Sequence, residues 1–124
     1  MKEFLFSRFR SFRYAGNGIW IFFSTQESAK IHLVGLTLTI ILGFVLVLER
    51  WEWVALGLTI GIVLASEAFN TAIEGIVDKI SPDFDPKAGN IKDIAAGAVL
   101  LASFCAVVVG ALIFVPRIWT LIFD

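Results

Sequence analysis

Three apolar stretches, too long for the core of a small soluble domain, constrain this chain more than any other feature. A membrane-crossing helix needs about 20 mostly apolar residues. Ile31–Leu48 contains no Asp, Glu, Lys or Arg, although His32 stands at its entrance. The second stretch starts at Trp53 and runs on to Ile80, with carboxylates in its latter half, and the third, Ile94–Val115, carries no charge and stops at Pro116. Hydrophobic residues make up 58% of the 124 positions and charged residues 17%, against about 45–50% and about 25% in average soluble domains. The mean hydropathy of +0.86 agrees. These values exclude a soluble globular domain and a disordered chain. A net charge of −1 leaves no basic field to recruit nucleic acid. The first apolar run begins only at residue 31, and no small-residue cleavage pattern follows it, which argues against a cleaved signal peptide. The single cysteine, Cys105, rules out an intrachain disulfide and reads as a small core hydrophobe.

The expected architecture is all-α. It is one integral membrane domain with a surface helix and connector over 1–29, spans at 31–48, 53–80 and 92–115, a cytoplasmic loop at 81–91 and a tail at 116–124. Leu5, Phe9, Phe12, Ile19, Trp20 and Phe23 fall on one helical stripe of the N-terminal segment, as in a helix lying in the headgroup plane. Gly16 and Gly18 are expected to break it. Lys2, Arg8, Arg10, Arg13, Lys30, Lys79, Lys87 and Lys92 fall on one side of the spans, with only Arg50 and Arg117 on the other. Positive residues favour the cytoplasmic side, so the N-terminus and the second loop are expected inside and the C-terminus outside. Glu52, on the outer side, is expected to be a neutral position.

The polar residues of the second span carry the functional signal. Glu67, Asn70, Glu74 and Asp78 are spaced three, four and four apart, which places them on one narrow helical stripe. Glu74 and Asp78 are expected at the cytoplasmic boundary, with Glu67 about 10 Å deeper at 1.5 Å per residue. A carboxylate inside a membrane is costly and marks a candidate site; the plain alternative is hydrogen bonding between helices. The same topology brings Glu27, Lys92 and Asp93 to that depth, and clustered carboxylates suit a hard cation such as Mg²⁺. Ser24–Glu27 and Asn90–Asp93 also fit capping boxes, Pro82–Pro86 fits a turn, and Lys30 and His32 fit headgroup-level markers. A helix start near Asn90, with Lys92 in its first turn and Gly89 before it, would attract phosphate. Ala98, Ala102, Ala106 and Gly110 recur every four residues, a small-residue face that lets helices approach closely. Three short spans cannot enclose a sizeable pocket, so a site between protomers is expected.

The segment EAFNTAIEGIVD (Glu67–Asp78), followed by KAGNIKDIAAGAVLLAS (Lys87–Ser103), resembles the signature of the prokaryotic diacylglycerol kinase and undecaprenol kinase family. SFRYAGNGI in the N-terminal segment and the IHL of Ile31–Leu33 extend the likeness over nearly the whole chain. The resemblance implies a homotrimer of three-span subunits that transfers the γ-phosphate of MgATP to a lipid alcohol, undecaprenol or diacylglycerol. It implies Glu74 as the base for the lipid hydroxyl, Glu27 and Glu74 on the metal, and Asn70 and Asp78 beside them. Glu67 would serve the lipid end, Lys92 and Asp93 the nucleotide, and Gly89 the loop over it. Arg10 or Arg8 would be the N-terminal arginine. Asp85 stands where the diacylglycerol kinases carry a histidine, and SPDFDPKAGNIKD is slightly nearer the undecaprenol branch. Two other classes compete: a proton- or cation-coupled transporter and a non-catalytic assembly subunit. The transporter lacks polar groups through the outer half of the second span. The assembly subunit leaves the convergence of polar residues from several helices unexplained.

Overall fold

The computed structural model describes residues 1–123, with the side chains of 2–5 and 7 excepted, so the expected membrane-facing Leu5 side chain lies outside what is described. Four helices account for it: α1 (Lys2–Thr25), α2 (Glu27–Val45), α3 (Arg50–Ile80) and α4 (Pro86–Phe123). There are no strands among the described residues, and α2, α3 and α4 are each long and apolar enough to cross a membrane.

Several boundaries differ from those expected. Gly16 and Gly18 do not interrupt α1, which runs unbroken to Thr25. The break between α1 and α2 is the single extended residue Gln26 (φ −94°, ψ 123°). The capping box expected at Ser24 does not form: the hydroxyls of Ser24 and Thr25 donate back to the carbonyl of Ile21, at 3.0 and 2.8 Å. α4 starts at Pro86, six residues before the expected span, and continues through Pro116 rather than stopping there. At its start the Asp85 carboxylate accepts from the Lys87 amide at 2.9 Å. Asp85 is thus the cap and Pro86 the first helical residue, where a missing N–H costs nothing. Asn90 and Gly89 are inside the helix, not ahead of it.

The α2–α3 turn explains much of the outer end. Val47 has φ 52°, the one non-glycine residue with positive φ among those described. Its amide donates to the Phe44 carbonyl and that of Leu48 to the Gly43 carbonyl, at 3.3 and 3.0 Å. This is a Schellman closure, usually built on glycine. A left-handed valine costs roughly 1–2 kcal/mol, so something else must hold the turn. Arg117 does so: its guanidinium grips Glu52 through Nε and Nη2, at 3.0 and 2.6 Å, while Nη1 donates to the carbonyls of Leu46 and Val47, both at 3.1 Å. Glu52 is only 5% exposed. It also accepts from the Glu49 amide, completing the capping box of α3. One arginine therefore ties the end of α4 to the start of α3 and to the turn before it. This gives Glu52 a structural role that its place at a span end does not announce, and it anchors α4 directly beyond Pro116, which cannot donate a helical hydrogen bond of its own.

Below this clamp Leu48, Leu56 and Ile113 form a small core with Trp53, Ala55, Val109 and Phe114 packed against it. Gly43 permits the close approach of α2, since a Cβ there would stand 2.5 Å from the Trp53 ring. α3 and α4 form the principal packed pair, and α1 and α2 join it through far fewer contacts. Within the small-residue face Ala102 is buried, but Ala98 is exposed and Ala106 and Gly110 are half-buried. The buried positions on α4 are Ala95, Ala102 and Ile113. Apart from these few residues the helices present large apolar side chains outward, from Leu38, Phe44 and Leu58 to Phe69, Phe104 and Leu112. Such an exterior needs lipid or further protein to cover it.

Two outcomes test this account. Glu52→Gln or Arg117→Leu should lower the thermal midpoint in detergent by roughly 5 °C or more, since each strands the other charge. Val47→Gly should raise it, because glycine adopts the left-handed conformation without strain.

Candidate functional site

The stripe on α3 forms as the spacing requires, and its exposure rises steadily along the helix. Glu67 is 8% exposed, Asn70 and Glu74 are half-buried, and Asp78 is exposed. Moving from Glu67 to Asp78 is therefore a passage from a buried to an exposed position, over about 16 Å at 1.5 Å per residue.

Each polar group on the stripe has a definite partner. Asn70 Nδ2 donates to Glu74 Oε1 at 3.1 Å, one turn apart. That amide fixes one oxygen of the carboxylate and turns Asn70 Oδ1 the other way, where it is buried without a hydrogen-bond partner. A buried, unsatisfied oxygen requires explanation in a folded protein. Lys92 Nζ donates to Asp78 Oδ1 at 2.9 Å, joining α4 to α3 at the water-facing end. Glu67 receives His32 Nε2 at 3.0 Å on Oε1 and Ser28 Oγ at 3.3 Å on Oε2, both from α2. Ser28 and His32 are four residues apart, hence on one face of α2. The sequence reading missed both as partners: His32 was read as a headgroup marker. The available signal was a histidine and a serine at helical spacing ahead of an intramembrane glutamate.

The remaining expected site residues are placed less centrally. Glu27 is exposed in the first turn of α2. Asp93 is exposed on α4, and Lys92 falls in its second turn rather than its first, because the helix begins earlier. Gly89 is not in a covering loop: it is helical, and its amide donates to the Asp85 carbonyl at 3.0 Å. Arg10 is exposed on α1 beside Phe6, Phe9 and Arg13. Among the described residues of one chain, no three Asp, Glu, His or Cys side chains are arranged to hold a metal ion. The oxygen donors of Glu74 and Asn70 are nevertheless of the kind Mg²⁺ takes, which needs only one or two carboxylates and fills the rest of its octahedron with water and phosphate oxygens.

Two cavities flank the stripe. A groove of about 860 Å³ lies between α1 and α3, lined by Gly18, Phe22, Leu64, Ala68, Phe69 and Ala72 among others, almost all apolar. A smaller one of about 250 Å³ lies beside His32, between Gly35 and Thr39 of α2, Ile60 and Val63 of α3, and Ala106 of α4.

Residues 13–114 match the family model described as prokaryotic diacylglycerol kinase. The chain belongs to the prokaryotic diacylglycerol kinase family. It is therefore a membrane-embedded lipid kinase with ATP as its co-substrate. An undecaprenol kinase of Bacillus subtilis is 38% identical over 110 residues, covering 89% of each chain. A diacylglycerol kinase of Synechocystis is also 38% identical, over 90% of this chain but 64% of its own length. The diacylglycerol kinase of Escherichia coli K12 is 26% identical over 77% of this chain and 78% of its own.

Proposed function

We propose that this lipid kinase phosphorylates undecaprenol or diacylglycerol at the cytoplasmic face of the bacterial membrane, with undecaprenol the preferred acceptor. Two features support the acceptor: its matched length with the B. subtilis undecaprenol kinase and Asp85 in the second loop. The observation that carries the chemistry is the Asn70–Glu74 pair, half-buried on a stripe that joins an apolar environment to water.

Phosphoryl transfer depends on positioning and charge stabilisation more than on covalent catalysis. Glu74 sits at a depth where a lipid hydroxyl and a water-soluble phosphate donor can both arrive. Its carboxylate, oriented by the Asn70 amide, accepts the hydroxyl proton as the oxygen attacks the γ-phosphorus and ADP leaves. Glu74, with Glu27 as a second carboxylate and Asn70 beside it, would hold Mg²⁺, which would neutralise the phosphate charge. Lys92, held by Asp78, adds positive charge at the water-facing end, with Asp93 beside it, Gly89 one turn earlier and Arg10 reaching over from α1. Glu67 serves the acceptor end. Because Glu27, Arg10 and the Asn70–Glu74 pair are not gathered within one chain, the reading includes a homotrimer in which a neighbouring copy completes the site. The sparsely packed α1 and α2 and the apolar exterior support that assembly.

Glu74→Gln should reduce lipid-dependent ATP turnover at least a hundredfold, within the about 10²–10⁴-fold typical of a positioned base, with oligomer size and melting retained. Turnover within tenfold of the parent removes Glu74 from that role. The orientation has its own test in a Cys105→Ser background. Thr120→Cys should react with an impermeant thiol reagent on intact cells, and Asp83→Cys only after permeabilisation. The reverse pattern puts the site on the side without ATP.

A further inference from the structure

Glu67 is the most deeply buried member of the stripe, and its surroundings are unusually specific. Both carboxylate oxygens are engaged from the same face of α2, Oε1 by His32 Nε2 at 3.0 Å and Oε2 by Ser28 Oγ at 3.3 Å. Hydrogen bonds on both oxygens lower the cost of a carboxyl group at this depth. The contact also spans two helices that touch little elsewhere, so His32 determines where the Glu67 carboxyl lies relative to α2. The two partners are not equivalent. The histidine contact is short, whereas the serine hydroxyl donates over a distance near the limit for such a bond. The imidazole also lines the 250 Å³ cavity, whose other walls are apolar apart from Thr39. His32 thus links a mostly apolar space to the polar stripe, with one Glu67 oxygen held by a short contact to the imidazole and the other by a longer one to a hydroxyl.

We propose that His32 is a positioning residue for the lipid acceptor: it holds Glu67 by Oε1 so that Oε2 is presented to the acceptor's hydroxyl, and the Ser28 hydroxyl occupies the place which that hydroxyl takes over. The exchange is one hydroxyl donor for another, so neither Glu67 oxygen is left unpaired. The inference rests on the proposal that Glu67 serves the acceptor end, and it adds that this service depends on α2.

The test measures kcat and KM for undecaprenol and for ATP separately, on detergent-solubilised full-length protein of confirmed oligomer size and melting. His32→Leu should lower kcat/KM for the acceptor at least about tenfold, as expected for a misplaced contact, with the KM for ATP unchanged. His32→Gln, which keeps a donor at this position, should recover most of the loss. Glu67→Gln with His32→Leu should be scarcely worse than Glu67→Gln alone, because the histidine acts through the glutamate. A His32→Leu protein that keeps the acceptor kcat/KM, that loses acceptor and ATP terms in parallel with its melting point, or that adds its full effect to Glu67→Gln overturns the inference. If Glu67→Gln itself leaves the acceptor kcat/KM intact, the failure lies in the role given to Glu67, and the His32 inference falls with it. A loss in Glu67→Gln without one in His32→Leu removes the inference alone.

Discussion

The fold depends on the grip of Arg117 on Glu52. α3 and α4 meet along most of their length, yet few residues in that seam are fully buried, and apolar side chains facing lipid gain nothing by facing each other instead. What fixes the register of the hairpin at its outer end is a bidentate ion pair in which the same guanidinium also satisfies two carbonyls of the preceding turn. Carboxylate and guanidinium match in planar geometry, so the contact sets angle as well as distance. At the opposite end the hairpin is joined by Lys92 and Asp78, an exposed single contact with none of that rigidity. The two ends therefore differ in kind: one is held by a buried bidentate pair, the other by a single exposed contact.

The parts legible in the sequence were those with no soluble explanation. A run of 18 residues without charge admits few structures, and carboxylates recurring at helical spacing in a span name their own face. The stripe from Glu67 to Asp78, the three spans and the family resemblance all follow from such signals. What escaped was decided by groups that look ordinary where they stand. Arg117 and Glu52 lie at span ends, where charged residues are usual, and nothing in one dimension says that residues 65 apart share a bond. Pro116 reads as a stop only because the anchor beyond it is invisible. Asp85 and Asn90 are both capable caps, and the choice between them rests with Pro86, whose preference for a first helical position is stronger than the pull of Asn90. His32 was read by its depth when its partner was on another helix.

The site, as proposed, sits where two solvents meet. ATP cannot enter hydrocarbon and a polyprenol cannot leave it, so neither substrate can be enclosed in the manner of a soluble kinase pocket. The gradient of exposure along α3 replaces enclosure: a set of oxygens at successive depths, each held by one neighbour, spans the boundary within about three turns of helix. The modest number of buried side chains in a single chain fits this reading, in which lipid and the other copies of the proposed trimer supply the remaining walls.

The helices are longer than a bilayer requires. At 1.5 Å per residue the 31 residues of α3 extend about 46 Å and the 38 of α4 about 57 Å, against a hydrocarbon core near 30 Å. In the proposed orientation, with the Arg117 clamp at the outer surface, the surplus projects on the other side and carries Asn70, Glu74 and Asp78 with it. Where the water boundary crosses the stripe is then set by the membrane as much as by the protein. A bilayer a few Å thicker submerges one more turn of carboxylates, and a thinner one exposes it or tilts the hairpin to compensate. Membrane thickness thus becomes a physical variable in how much of the proposed site meets water.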